Sequence, residues 1–392
     1  MQKKGRQTKM QGKLKTFVLR RDRPETGAPG FESMGSAALH PAVAPQTLRI
    51  ETLDAREGER AEIASERDTV GVGLSIPFAV IAPFATEADD GTGDNWGIGA
   101  IGADELDPQA GQGVKVAVLD TGISEAHPAF DGLDLVTENF TDDVPEDTDG
   151  HGTHCASTIF GQDVAGRRLG AARGVRRPLI GKVLGRGGGD SESILEGMLW
   201  ARRNGARVIS MSLGMDFTGY RQRLVAHGYH ELEATSLALQ GYRDNLRLFD
   251  RIAALFGDAT VIDAPMLIAA AGNESRRPEY EIATAPPAAA DGILSVGAID
   301  ENGNIATFSN SSPDCVGPGV GILGAALDGG LVRLSGTSMA APHVAGIAVL
   351  QAAALAQRGF FTANELRTAV LARALTLPGL GRAEQGRGLV MV

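Results

Sequence analysis

The chain has 392 residues, 43% of them apolar, and 52 glycines, enough for a large core with many tight turns and for two or three domains. Its net charge of −11 argues against general nucleic-acid binding, and two cysteines cannot make a disulfide framework. The basic N-terminus is not followed by an apolar stretch of the length that a secretory signal or membrane span needs, so the expected setting is the cytoplasm, with no membrane partner.

In chain order, the first twenty-one residues carry eight Lys or Arg and no acid, and residues 25–46 are rich in Gly, Pro, Ala and Ser. Residues 1–46 therefore read as a disordered basic, low-complexity segment. Residues 47–90 read as a small α+β module with a linker: a strand at Leu48-Arg49-Ile50-Glu51, a charged helix over 56–67 and a strand region over 71–81. From 91 to 392 no linker intervenes. Val114-Lys115-Val116-Ala117-Val118-Leu119 is a short apolar run that predicts a buried parallel strand, with Asp120 delivered at its carboxyl end. Gly150-His151-Gly152-Thr153-His154-Cys155 has the look of a loop entering a helix. Further strands are expected at 179–184, 208–213, 266–271 and 293–298, and helices at 191–204 and 338–357. Such alternation predicts an α/β fold with a mostly parallel central sheet and helices on both faces. Cys315 is expected in a loop.

Between Gly214 and Asn273 lies extra sequence, an insertion over about 215–262. Leu232, Leu239, Tyr242, Leu246, Phe249, Ile252 and Phe256 recur there at helical spacing. An amphipathic helix packed on the body is the main reading, and a partner-docking or substrate-docking surface the alternative.

The chemistry centres on Ser338. Gly336 permits a tight, strained approach, and the first turn of a helix surrounds Ser338 with amide donors that favour negative charge on a bound carbonyl. A serine there is also an ordinary cap, so the reading depends on a base. A hydroxyl becomes a nucleophile when a histidine accepts its proton and a buried carboxylate holds that histidine in the right tautomer, which are the roles open to His151 and Asp120. His151, His154 and Cys155 lack a fourth ligand, so no metal site is assigned to them.

Asp120-Thr121-Gly122-Ile123, His151-Gly152-Thr153-His154 and Gly336-Thr337-Ser338-Met339-Ala340-Ala341-Pro342 resemble, in the same Asp, His, Ser order, the signature segments of the subtilisin-like serine proteases. The resemblance runs from about Trp96 to the last residue. It implies a three-layer subtilisin-like fold and a serine endopeptidase acting on peptide or protein substrates. Asp120, His151 and Ser338 would be its triad and the Asn273 amide its oxyanion donor. It further implies that Ser212, Leu213 and Gly214 line the pocket before the scissile bond, and that Gly187, Gly188 and Gly189 offer an edge that pairs with substrate. Cys155 after His154 is as in the proteinase K branch. No cofactor is required; many relatives bind calcium, but Ala129 stands where a carboxylate is usual, so no metal site is assigned. Relatives are commonly made with an N-terminal inhibitor, which makes this chain's own N-terminal segment an expected intramolecular partner, cut off at a bond expected within 84–96. The alternative is a catalytically silent scaffold that only binds.

Overall fold

The computed structural model describes residues 13–21, 48–88, 93–258, 261 and 263–392. The chain forms two units, Met1–Ser75 and Ile76–Val392.

In the first unit, β1 (Leu14–Arg21), β2 (Leu48–Ala55), α1 (Glu57–Ala64) and β3 (Thr69–Leu74) make an antiparallel sheet of order β2-β1-β3 with one helix. Residues 14–21, expected to be part of a disordered tail, are its central strand. The flanking charges conceal a short apolar core: Thr16, Phe17, Val18 and Leu19 are fully buried, and Arg20 is paired with Glu51, Glu66 and Asp68 at 2.7, 2.5 and 3.2 Å. The unit also ends at Ser75, earlier than the expected boundary at 90. The low-complexity stretch 25–46 lies outside the described residues.

The second unit runs β4 (Pro77–Val80), β5 (Phe84–Ala88), α2 (Trp96–Ala100), β6 (Val116–Asp120), β7 (Val136–Asn139), α3 (His151–Phe160), β8 (Leu179–Lys182), β9 (Gly189–Asp190), α4 (Ser191–Arg203), β10 (Val208–Met211) and β11 (Leu213–Met215). It continues through α5 (Phe217–Ala226), α6 (Glu231–Gly257), β12 (Met266–Ala270), β13 (Ile293–Ile299), β14 (Cys315–Pro318), β15 (Ile322–Ala325), β16 (Leu331–Ser335) and α7 (Thr337–Ala356). It closes with α8 (Ala363–Leu371), β17 (Ala374–Leu375), α9 (Arg382–Gln385) and β18 (Leu389–Val390).

Nine of these strands form one sheet, in the order β17-β18-β14-β13-β12-β10-β6-β8-β7, parallel except for the edge pair β17–β18. Every residue of β6, β10, β12 and β13 is buried, as a parallel sheet covered on both faces requires. The chain order reverses around β6, with β8 on one side and β10 on the other, so loops at the carboxyl ends diverge there and open a crevice. Helix α7, with mean hydropathy 1.6, is long and apolar enough to cross a membrane, yet it packs on β10, β12, β13 and β14 as a core helix. Cys315, expected in a loop, opens β14 and is fully buried.

The insertion is a helical hairpin, α5–α6. Its buried face is Ala234, Ala238, Gly241, Asn245, Leu248, Phe249, Ile252, Ala253 and Phe256, whereas Leu232 and Leu239 are 78% and 56% exposed. The expected stripe is right for the second half and rotated for the first, where small residues, not leucines, face the body and let the helix approach closely.

Candidate active site

Asp120 ends β6 at the reversal point and His151 opens α3, so both stand at the crevice, fully buried. His151 Nδ1 meets Asp120 Oδ1 at 2.7 Å, and the Thr121 amide donates to the same oxygen at 2.8 Å. Burial is the largest influence and works against a charged imidazole, but the adjacent Asp120 carboxylate and Cys155 together outweigh it and hold the His151 pKa well above its ordinary value. The bond at Nδ1 leaves Nε2 as the free ring nitrogen, and Nε2 is buried with no hydrogen-bond partner among the described residues.

The loop before His151 is organised by Asp147. Its Oδ1 accepts from the Asp149 and Gly150 amides at 3.0 and 2.9 Å, and its Oδ2 from the Thr153 amide and hydroxyl at 3.0 and 2.7 Å. Desolvation opposes ionisation there, but these four donors keep the Asp147 pKa below the usual carboxylate value. The same side chain satisfies the amide of Thr153 in the first turn of α3, where intrahelical partners are lacking. Gly152 is obligatory for contact with the Asp120 loop: a Cβ there would lie 2.3 Å from the Gly122 carbonyl. Buried Lys182, at the end of β8, donates to the Thr121 and Glu146 carbonyls at 2.8 and 3.0 Å and so ties both loops together.

Ser338 lies in the first turn of α7 and is fully buried. Gly336 is extended, with φ 165°, so the expected strain is absent; what demands glycine is that a Cβ would come 2.8 Å from Asn273 Nδ2. The Asn273 amide is orientated by Thr337, whose backbone N–H and hydroxyl both donate to Oδ1 at 2.9 Å. Nδ2 is thereby turned toward Ser338's side of the crevice, where it donates to the Ala82 carbonyl at 3.1 Å.

The crevice is filled by the chain's own residues 76–88. β4 lies antiparallel between two edges, with Val80, Ala79 and Phe78 opposite Leu213, Gly214 and Met215 of β11, and Phe78 and Pro77 opposite Gly189 and Asp190 of β9. Main-chain pairing of this kind is how an extended peptide adds to a sheet edge. Ile81 follows, its side chain 5% exposed and set against Gly214, where a Cβ would lie 3.2 Å from Cγ1. Ser338 Oγ donates to the Ile81 carbonyl at 3.2 Å and stands 3.5 Å from the Ser212 carbonyl. No hydrogen bond joins it to His151 in this form. Beyond Pro83 the chain pairs with the other wall, Phe84 opposite Ser335 of β16. The residues beside Ser338 are thus Ile81 and Ala82, upstream of the stretch 84–96 expected to hold the cut.

Of the three glycines expected at the edge, Gly189 alone belongs to the pairing strand. Gly188, at φ +86°, closes a turn on Gly185 and touches the Phe78 carbonyl so closely that a Cβ would stand 2.4 Å from it; Gly187 is the open tip of that turn and meets nothing. Ser212, Leu213 and Gly214 stand beside Ile81 and β4, and the Ser212 hydroxyl donates to the Ser338 carbonyl at 3.1 Å. Cys155 lies under His151, its Sγ 3.9 Å from Nδ1 and 3.3 Å from the Ser338 carbonyl, and burial raises its thiol pKa. Asp120, His151 and Cys155 converge closely enough for a metal, but His154 does not join them. His154 Nε2 donates to the Ile322 carbonyl at 3.0 Å, and burial lowers its pKa to about 4. Asp147, Lys182, Thr337 and the 76–82 segment escaped sequence reasoning. Only Thr337, adjacent to Ser338, carried a positional signal.

These features define a class: a parallel α/β protein with an aspartate-held histidine, a serine at a helix start and a side-chain amide converging at the carboxyl edge of the sheet. The chain belongs to the subtilase family, whose model matches residues 111–388. It is 31% identical to "Subtilisin-like protease 6" of Arthroderma benhamiae over 64% of this chain and 57% of that protein. A "Cuticle-degrading serine protease" of Arthrobotrys oligospora is 33% identical over 69% of this chain and 60% of that one. "Subtilisin DY" of Bacillus licheniformis is 30% identical over 65% and 83%. The chain thus spans somewhat over half the length of the fungal relatives. Kinship also corrects the cytoplasmic expectation: a protease named for degrading cuticle acts on material outside a cell. The lack of an apolar stretch near residue 1 does not settle the compartment.

Proposed function

We propose that the protein is a serine endopeptidase that cleaves peptide bonds through an acyl-enzyme and first cuts its own chain between Ile81 and Ala82. The observation that carries this reading is the strand-like passage of residues 77–84 through the crevice, with a carbonyl at Ser338 Oγ.

In the reaction, His151 Nε2 takes the Ser338 hydroxyl proton as Oγ bonds to the scissile carbonyl carbon, while Asp120 holds the ring and stabilises its charged form. The oxygen, now negative, is stabilised by the Asn273 amide and the Ser338 backbone N–H; both donors are fixed in advance, so they favour the transition state over the ground state. His151 then returns the proton to the departing amine as the C–N bond breaks. Water, deprotonated by the same nitrogen, displaces Ser338 from the ester, and His151 returns that proton to the departing Oγ. Neutral imidazole is the base, so activity is retained above the His151 pKa and lost as pH falls through it.

In the uncut chain Asn273 is engaged with the Ala82 carbonyl, one residue past Ile81. Cleavage therefore needs the Ile81 carbonyl to turn onto that donor, a small local shift. Buried Ile81 against Gly214, beside exposed Ala82, favours Ile81 as the residue preceding the cut. After it, residues 76–81 would remain as a product-like strand and make the N-terminal segment an inhibitor. A fluorophosphonate probe tests the chemistry: stoichiometric labelling mapped to Ser338, lost in Ser338→Ala, is expected. Absence of label from protein that has removed its N-terminal segment would contradict it.

A further inference from the structure

The inserted hairpin reaches the end of the cleft farthest from Ser338. Counting back from Ile81 as the first residue, Phe78 is the fourth, Pro77 the fifth and Ile76 the sixth. Phe78 is 1% exposed, and its ring meets that of Phe249 in α6 edge-on, with centroids 5.9 Å apart. The Asp216 amide, at the start of α5, donates to the Pro77 carbonyl at 3.0 Å. Both main-chain groups of Ile76 are paired with Ser191: its N–H donates to Ser191 Oγ at 3.0 Å, and its carbonyl accepts from the Ser191 amide at 3.2 Å. For Oγ to accept, its own proton must go elsewhere. It goes to Asn245 Oδ1 of α6 at 2.6 Å, and Asn245 is fully buried, with its Nδ2 donating to the Gly241 carbonyl at 2.9 Å. Asparagine in the middle of a buried helix face is costly unless each polar atom is satisfied. Here one is satisfied by the residue that receives the sixth amide.

We propose that the α5–α6 hairpin extends the cleft to the sixth residue: Asn245 is a positioning residue that orients Ser191 to bind the sixth residue's main chain. Substrates with six residues before the scissile bond are therefore preferred. The inference rests on residues 76–82 occupying the cleft as a substrate does.

The test uses self-processed protein from which the N-terminal segment has been removed, with active sites counted by fluorophosphonate. Fluorogenic amides of acetyl-Ile-Pro-Phe-Ala-Val-Ile and acetyl-Phe-Ala-Val-Ile are compared. Wild type should favour the longer peptide by about tenfold in kcat/KM, mostly through KM, as a hydrogen-bonded main-chain contact provides. N-methylation of the sixth amide should lower that preference severalfold in wild type and change nothing further in Ser191→Ala. In Ser191→Ala and Asn245→Ala the ratio between the two peptides should fall severalfold, the Ser191 amide alone still holding the sixth carbonyl. Equal use of both peptides by wild type, or a length preference that N-methylation leaves unchanged, overturns the inference while leaving the peptidase reading intact. No hydrolysis of either peptide and no label would overturn both.

Discussion

On the proposed reading, the two halves of the cleft work by different means. Around Asp120, His151, Asn273 and Ser338 the work falls to particular side chains, each held by a named partner: Asp120 on Nδ1, Asp147 on the loop, Thr337 on the Asn273 amide. Along β9 and β11 it falls to backbone atoms and to space, such as the pairing of Ala79 with Gly214 and the near-contact of Gly188 with the Phe78 carbonyl. The difference separates rate from affinity. Changes in the first half should act on kcat, and changes in the second on KM.

The largest effect tests that separation at its root. Ser338→Ala should lower kcat by about 10⁶, a magnitude carried over from subtilisin, with His151→Ala similar and the double variant no worse than either, because the groups act as one unit. Fluorescence anisotropy of a product-like Phe-Ala-Val-Ile peptide should show binding to processed protein nearly unchanged by chemical inactivation of Ser338. Loss of binding together with rate would merge the two halves.

Next is Asn273→Leu, expected to lower kcat by about 10²–10³ with KM little changed. Steady-state kinetics at saturating substrate reads it directly; an unchanged kcat would make Asn273 only a turn residue. Asp147→Ala should destabilise the fold by about 3 kcal/mol, since it strips four donors of their buried partner. Because folding depresses the Asp147 pKa, its contribution is complete above the unfolded value of 3.8 and is lost as pH falls through the lower folded value. Denaturant titrations of wild type and variant should therefore converge in strong acid. The smallest effect lies in the other half: Gly188→Ala, a Cβ aimed at the substrate main chain, should raise KM by about tenfold and leave kcat alone.

The same division explains what could be read in advance. That Asp120, His151 and Ser338 gather at one crevice was legible because the proposed proton transfer and nucleophilic attack demand those residue types, in an order that few folds share. The sheet was legible because strands buried on both faces become continuous apolar runs, as in β6 and β13. Main-chain pairing leaves no such mark, so the passage of 77–80 between β9 and β11 and the placing of Ile81 and Ala82 at Ser338 were not visible. In β1, Arg20 read as one more charge in a basic tail because its partners Glu51, Glu66 and Asp68 are distant in sequence. For α6, counting leucines set the wrong face in the first two turns, since Ala234, Ala238 and Gly241 make the close contact there.

Intact-mass spectrometry of the freshly folded full chain beside Ser338→Ala tests the central claim, that Ser338 acts on the residues lying in its own cleft. The account predicts that wild type resolves into fragments ending at Ile81 and beginning at Ala82, while Ser338→Ala stays whole. If wild type remains uncut under conditions in which it hydrolyses other peptides, or if both proteins are cut alike, the claim is wrong.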